Sequence, residues 1–157
     1  MGSNYLPHRT FVFFCLFLLN SCGPTESSRS KADTYSREHR YEEAIAEYHR
    51  HINDRLGVKN RPEWENPYLY LLDIGDIYLE QGDVEKALEN YKLAEDKEVK
   101  ESYVIDRYRY IATWYEKKGD LKSALKHLEK YRDKDPLLFD LMLDRISRQM
   151  VKEEDSK

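Results

Sequence analysis

Histidines and cysteines are the residues of this chain best suited to chemistry, and their spacing does not assemble a reactive site. His49 and His51 lie two residues apart, which on a helix points their rings to different sides. His51 could pair with Glu47 one turn back, but two ligands do not complete a metal site. His127 lies in an amphipathic stretch with charged neighbours, which predicts a solvated helix face. No nucleophile elbow, phosphate-binding loop or zinc-protease motif occurs. We therefore expect no catalysis, no metal and no cofactor.

Both cysteines, Cys15 and Cys22, lie near the N-terminus, within and just after a short apolar run. The run covers residues 11–19, follows Arg9 and ends shortly before Ser21. A secretory signal has this order: a basic head, an apolar stretch and a small residue before the cut. The run is too short to span a bilayer, which takes roughly 20 residues. The pattern predicts a cleaved signal at 1–21, with Cys22 as the first residue of the mature chain.

This arrangement resembles the signal of bacterial lipoproteins, in which the new N-terminal cysteine carries acyl chains. The resemblance implies lipidation of Cys22 and a place in the cell envelope on a bacterial membrane, with Gly23 favouring the outer membrane. The chain would then reach the membrane through lipid and not through a spanning helix. An uncleaved or ordinarily cleaved signal, with Cys22 present by chance, is the alternative.

Composition limits the classes of partner and the chemistry of the folded part. Only Arg9 of the 26 basic residues lies in the signal, so the rest of the chain carries 25 basic against 30 acidic residues. This excess of negative charge disfavours nucleic-acid binding. No cysteine follows Cys22, which excludes a disulfide or a cysteine-ligated metal. Residues 22–34 are small and polar and predict a flexible tether, and residues 152–157 are charged and predict a frayed tail.

An internal repeat is the strongest pattern in the rest of the sequence. A large residue, Ile, a small residue and Tyr recur in two segments, each followed by Gly-Asp-aliphatic and then Ala-Leu. The matched pairs are Leu71 and Tyr108, Ile74 and Ile111, Gly75 and Ala112, Tyr78 and Tyr115, Gly82 and Gly119, Asp83 and Asp120, Ala87 and Ala124, and Leu88 and Leu125. A weaker third copy covers residues 35–48 and has His39 where the others have glycine.

The residue types of the repeat fit helix-on-helix contact. In the better copy, small Gly75 is expected to face Ala87, which lets two helices approach closely. Gly82 is expected to end the first helix in a left-handed conformation, and Asp83 to cap the second helix.

The repeat resembles the tetratricopeptide repeat, whose signature is Trp-x-x-Leu-Gly-x-x-Tyr, then Ala-x-x-x-Phe, then Pro. The resemblance implies an all-α fold: a short right-handed solenoid of antiparallel helix pairs with a C-terminal capping helix. The helical domain is expected to cover residues 35–151. Within it we expect a degenerate repeat at about 35–58, a loop at 53–67, repeats at 68–101 and 105–138, and the capping helix at 137–151.

In this family the first helices of successive repeats line a concave groove, so the resemblance implies partner contacts on their outward residues. The candidates are Leu69, Leu72, Asp76, Leu79, Glu80, Asp106, Arg109, Thr113, Glu116 and Lys117. The apolar members could instead pack against the tether or a neighbouring helix. The family's clamp for peptide C-termini does not carry over, because Asp33 and Asp76 stand where it needs Asn. Trp64, on the long loop, is either a partner anchor or tucked against the first helix pair, and the tuck is slightly favoured.

These patterns predict a non-catalytic scaffold that binds an unidentified protein or peptide and reaches the membrane through a lipid anchor. The alternative is a structural accessory subunit of an envelope pilus, secretion or outer-membrane machine. A groove binder is expected to be a stable monomer, whereas a permanent subunit copurifies with a fixed partner.

Overall fold

The computed structural model describes residues 27–155, which fold into an all-α domain. The helices in chain order are α1 (Ser28–Arg37), α2 (Tyr41–Leu56), α3 (Tyr70–Glu80), α4 (Val84–Asp96), α5 (Glu101–Lys117), α6 (Leu121–Tyr131) and α7 (Pro136–Asp155). Short 3₁₀ helices at Pro67–Leu69 and Arg132–Lys134 precede α3 and α7. No β-strand occurs between residues 27 and 155. The predicted signal and the predicted lipidation site, Cys22, lie outside these described residues.

The helices pack in consecutive pairs: α1 with α2, α3 with α4, and α5 with α6. Each pair also contacts the next, α3 touches α5, and α7 packs against α6. Short turns join the two helices of each pair, and such turns bring consecutive helices side by side in opposite directions. None of the helices within residues 27–155 is sufficiently long and apolar to cross a membrane.

The turn between α3 and α4 has the geometry that its Gly-Asp sequence predicts. Gly82 adopts a left-handed φ of 85°, and the amide of Asp83 donates to the carbonyl oxygen of Tyr78 at 2.9 Å. The Asp83 carboxylate then accepts the amide of Lys86 at 3.1 Å, which caps α4. The roles predicted for Gly82 and Asp83 are therefore confirmed.

The other two pairs repeat this turn. Gly119 has φ 76°, and the Asp120 carboxylate caps α6 by accepting the amide of Ser123 at 3.0 Å. Between α1 and α2, His39 takes the left-handed position with φ 58°. Its ring nitrogen Nδ1 lies 2.8 Å from the Tyr41 hydroxyl, a contact that helps to hold the strained residue.

The core is continuous along the chain, from Ala32 in α1 to Ile146 in α7. Its largest fully buried side chains come from every helix between α3 and α7: Leu72, Ile74, Leu79, Tyr91, Val104, Tyr108, Ile111, Leu128, Phe139 and Ile146. At its centre Gly75 lies against Tyr91 and Ala87 of α4, as the repeat predicts. Burial of these side chains is the main source of stability for a domain without disulfides.

Three expected boundaries are wrong. The predicted tether at 22–34 ends earlier, because α1 begins at Ser28, where the Ser27 side chain caps it and Ala32 packs fully buried. The loop expected at 53–67 begins only after Leu56, where α2 ends. The expected frayed tail from residue 152 is helical as far as Asp155, and α7 begins at Pro136.

Candidate binding groove

A groove of about 670 Å³ opens beside α3 and α5. We call it the groove. Its lining residues are Ser36 of α1, Tyr48 of α2, Asp73, Asp76, Ile77 and Glu80 of α3, Arg107, Tyr110, Trp114 and Lys117 of α5, and Lys118 just after α5. On α3 and α5 these positions follow a spacing of three or four residues, which places them on one helix face.

Two aspartates and one arginine form the charged floor of the groove. The Nε atom of Arg107 lies 2.9 Å from Asp76 Oδ2, whereas its Nη2 atom lies 3.9 Å from Asp73 Oδ1. Asp76 also accepts the Tyr91 hydroxyl at 2.7 Å. Asp76 is therefore well partnered, while Asp73 shares the same guanidinium at a longer distance. The Asp73 side chain remains 38 % exposed and so accessible from the groove.

This arrangement perturbs the ionisation of both carboxyls. Burial, together with repulsion from Asp76, raises the pKa of Asp73 to about 6, and Arg107 opposes the shift only in part. Burial also raises the pKa of Asp76, against the attraction of Arg107 and the hydrogen bond from Tyr91. A further positive charge beside Asp73, in addition to Arg107 and Arg29, would lower its pKa again. The groove therefore favours a cation at this point.

An aromatic wall and a basic rim complete the groove. Tyr110 is 44 % exposed, and the Lys118 ammonium lies 5.4 Å from the centre of the Trp114 ring. Such a cation–aromatic contact holds the ring and the charge together at the rim. Lys117 is exposed next to them. The groove thus combines a negative floor, flat aromatic surfaces and a positive rim.

The predicted contact residues divide between this groove and other places. Asp76, Glu80 and Lys117 line it. Asp106, Arg109 and Thr113 line a smaller adjacent concavity of about 340 Å³, and Leu69 lines a separate one on the loop side. Glu116 faces α7 instead and forms a two-pronged ion pair with Arg145.

The expectation that Leu72 and Leu79 face outward is wrong. Both are 1 % exposed and belong to the core, because they lie on the side of α3 that packs against neighbouring helices. On α3 and α5, the groove residues missing from the predicted contacts are Asp73, Ile77, Arg107, Tyr110 and Trp114. The repeat could have indicated some of these residues. Asp73, Ile77 and Glu80 occupy the same repeat positions in one copy as Tyr110, Trp114 and Lys117 in the next.

Trp64 is 85 % exposed, so the favoured expectation that it tucks against the first helix pair is wrong. The loop that carries it is nevertheless braced. Arg55 binds the Glu65 carboxylate through contacts of 2.6 and 2.5 Å. The side-chain amide of Asn66 donates to the backbone carbonyl oxygen of Lys97 at 2.8 Å. A concavity of about 590 Å³ lies beside the ring. The exposure of Trp64 agrees with the alternative expectation, that this residue is a partner anchor.

His127 is also placed differently from the expectation of a solvated face. It is 7 % exposed, and its Nε2 atom donates to the Tyr108 carbonyl at 2.8 Å. Burial lowers its pKa to about 4, so the ring is neutral at pH 7. The ring of His51 packs edge-on against Tyr70, 4.6 Å between centres. No group of three or more potential metal ligands occurs within the described part of the chain.

Comparison of the sequence with protein-family models gave no match, and a search of curated proteins found no match either.

Proposed function

We propose that this chain is a non-catalytic binding scaffold of the tetratricopeptide-repeat type, held to a bacterial envelope membrane by acyl chains on Cys22. In this proposal the helix pairs form a short right-handed solenoid that α7 closes at one end. The three equivalent turns, at His39, Gly82 and Gly119, support the repeat assignment, because the same backbone geometry recurs at matched sequence positions. The order of apolar run, Ser21 and Cys22 supports the anchor.

The groove is the observation that carries the binding function. It presents Asp73 with an accessible and incompletely neutralised carboxylate beside the exposed ring of Tyr110. A partly buried carboxylate without full charge compensation costs folding stability. Titratable groups with perturbed pKa values of this kind concentrate at functional sites. The partner is therefore a protein segment that brings a basic side chain to Asp73 and packs its aliphatic stem against the aromatic wall. Lys117 and Lys118 at the rim suit acidic groups elsewhere on that segment.

Site-specific photocrosslinking tests this assignment in the cells that make the protein. A photoreactive phenylalanine replaces Tyr110 in the groove, and in a matched variant it replaces Tyr103, which is equally exposed on the same helix but outside the groove. We expect a discrete crosslinked partner from position 110 and not from position 103. Capture from both positions alike would contradict groove binding.

The charge at Asp73 gives the second arm of the test. Asp73→Lys in the Tyr110 crosslinking variant should abolish capture, because the new cation repels the partner's basic group. Asp96→Lys, an exposed change at the end of α4, is the matched control and should leave capture intact. Melting curves of both variants show whether the fold is retained. Unchanged capture by a folded Asp73→Lys variant would overturn the assignment of the basic contact.

A structural accessory subunit is the second candidate, and exposed apolar residues on α7 favour it. Leu137 is 75 % exposed and Leu141, one turn later, is 61 % exposed. Adjacent exposed leucines on a helix suit a permanent interface. This function predicts that the protein copurifies with one partner in fixed proportion, and that Leu137→Ser with Leu141→Ser releases the partner. Purification of a stable monomer from native membranes would exclude it.

A further inference from the structure

One edge of the domain carries exposed apolar side chains that the groove does not use. It consists of the end of α2, the loop 57–66, the 3₁₀ helix Pro67–Leu69 and the turn from α4 into α5, and we call it the loop edge. Its exposed apolar residues are Leu56, Val58, Trp64, Leu69 and Tyr103. Trp64 has the greatest exposure of any large apolar residue in the described chain. Such a group on one surface marks a place of interaction.

The first described helix begins at this same edge. The Ser28 hydroxyl donates to Asp54 Oδ2 at 3.3 Å, which places the start of α1 beside the end of α2. The next residue, Arg55, holds Glu65 through its two-pronged ion pair, and Glu65 adjoins Trp64 in the loop. The polypeptide therefore enters the domain on the loop edge, close to its most exposed aromatic residue.

The distance from this entry point to the proposed lipid is short. Cys22 precedes Ser28 by six residues, which span at most ~20 Å even when fully extended. The opposite edge is farther away, since α5 alone rises ~16 Å between Tyr103 and Trp114. A short tether raises the local concentration of the bilayer at the loop edge, so contacts that are weak by themselves become populated.

The chemistry of the loop edge suits the headgroup region of a bilayer. Tryptophan and tyrosine are enriched there because one part of each ring is apolar and the other polar. The Lys97 ammonium lies 5.3 Å from the ring centre of Tyr68, and that of Lys100 lies 5.2 Å from Tyr103. These pairs place a cation beside an aromatic ring, an arrangement that suits a surface carrying lipid phosphates.

Apolar contact and not net charge distinguishes this edge. Basic Lys59, Arg61, Lys97 and Lys100 are largely offset by acidic Glu63, Glu98 and Glu101 on the same surface. The edge therefore has no strong preference for an anionic surface, and its exposed rings and aliphatic side chains supply the attraction. The braced loop already holds Trp64 outward, so little conformational entropy is lost on contact.

We propose that the loop edge lies on the bilayer that holds Cys22, with Trp64 at the level of the lipid headgroups. This inference rests on the lipid anchor of the proposed function. It orients the domain so that the rim of the groove at Trp114 and Lys118 points away from the membrane, towards partners in the aqueous phase.

The two tryptophans of the chain, Trp64 and Trp114, provide the test. Full-length lipid-modified protein is placed in phosphatidylcholine vesicles with or without brominated acyl chains, which quench nearby tryptophan emission. The Trp114→Phe variant reports Trp64 alone, and the Trp64→Phe variant reports Trp114 alone. We expect brominated lipid to reduce the emission of Trp64 and to leave that of Trp114 unchanged. Should Trp114→Phe fold poorly, the difference between native protein and Trp64→Phe isolates the same signal.

Each other result contradicts the inference in a distinguishable way. Equal quenching of both tryptophans, or quenching of neither, in vesicle-bound lipidated protein overturns the loop-edge orientation and leaves the anchor intact. Trp64 could instead show no quenching by lipid and become protected from aqueous acrylamide only when a purified partner is added. That result assigns the loop edge to a protein and overturns the bilayer contact. Absence of acyl chains from the protein purified from its own cells overturns the anchor and this inference together, while groove binding is still decided by crosslinking at position 110.

Discussion

Gly75 lies where α3 and α4 approach so closely that a larger residue does not fit. A Cβ atom at this position would lie 2.3 Å from Tyr91 Cε1 and 3.1 Å from the Ala87 carbonyl oxygen. Tyr91 has no room to retreat, because it is fully buried and its hydroxyl is bound to Asp76. The same tyrosine thus fills the core and holds one side of the groove floor.

Gly75→Leu should lower the free energy of unfolding by about 1–3 kcal/mol or more through overpacking. The matched control is Gly57→Leu, because a Cβ atom at Gly57 would make only ordinary contacts of 3.5 and 3.6 Å with backbone oxygens. The control should change stability by less than about 0.5 kcal/mol. Thermal melting followed by circular dichroism measures both. Equal midpoints for the two variants would mean that α3 and α4 do not meet at Gly75.

His127 shows how burial of one residue makes stability depend on pH. Its pKa falls from the usual 6.5 to about 4, chiefly through desolvation, while Lys130 also opposes protonation. The unfolded chain therefore binds a proton between these two pH values before the folded chain does. The contribution of neutral His127 to the free energy of unfolding is fully present above pH 6.5 and is lost as the pH falls towards 4.

His127→Gln should remove this dependence, since glutamine can donate to the Tyr108 carbonyl without titrating. Relative to the variant, the native protein should lose about 3 kcal/mol as the pH falls from 6.5 to 4, on the scale of 1.36 kcal/mol per pKa unit. Urea unfolding at several pH values measures the difference. The subtraction cancels Asp73, whose raised pKa acts in the opposite direction. Parallel stability curves for the two proteins would refute the buried neutral histidine.

At the scale of elements, four left-handed residues between residues 27 and 155 end helices and set the direction of the next one. Two of them are glycines, but His39 and Glu98 have φ values of 58° and 57°. The Glu98 turn joins α4 to α5 through the Val99 amide, which donates to the Ala94 carbonyl at 3.0 Å. An L-residue in this conformation is strained, and Glu98 is exposed, with no hydrogen bond from its side chain to relieve the strain among the described contacts.

Glu98→Gly should therefore raise the free energy of unfolding by up to about 1 kcal/mol. The gain is the relief of left-handed strain, reduced by the conformational entropy that glycine adds to the unfolded chain. Lys97→Gly serves as the control, because Lys97 has φ −93° and gains nothing from glycine. It should be neutral or destabilising. Chemical unfolding of both variants tests the sign, and a lower midpoint for Glu98→Gly than for the native protein would contradict the strain.

At the scale of the whole molecule, the start of α1 and the rim of the groove lie at different edges of one domain. Ser28 begins α1 beside the loop edge, whereas the rim of the groove lies near the turns at the other ends of the first helices. The last helix is joined to the rest by apolar packing and by ion pairs such as Glu116 with Arg145 and Arg132 with Asp140. Exposed pairs of this kind contribute little each, so the packing of Phe139 and Ile146 holds α7 in place.

Cys22→Ala should release the protein from membranes or leave an uncleaved precursor, because acyl chains on Cys22 are the proposed anchor. Metabolic labelling with a radioactive fatty acid, followed by membrane flotation, measures both effects. Cys15→Ala is the matched control and should retain label and flotation. Undiminished labelling of the Cys22→Ala variant would refute lipidation at this residue.

The sequence by itself determined the two helix pairs from α3 to α6 and the turns within them. Left-handed Gly82 and the Asp83 cap act within a few residues of chain, so their types reveal the local geometry. The close approach at Gly75 was also predictable, because small residues recur at matched positions wherever two helices must touch.

The tertiary structure alone decided which helix faces remain open. Successive residues of a helix differ in direction by about 100°, so one position separates buried Leu72 from groove-lining Asp73. Which of the two faces the core depends on helices that are distant in sequence. The same holds for His127, whose neighbours in sequence are charged but whose neighbours in space are the core. Trp64 is exposed because ion pairs and hydrogen bonds from other elements hold its loop outward, and no local pattern encodes them.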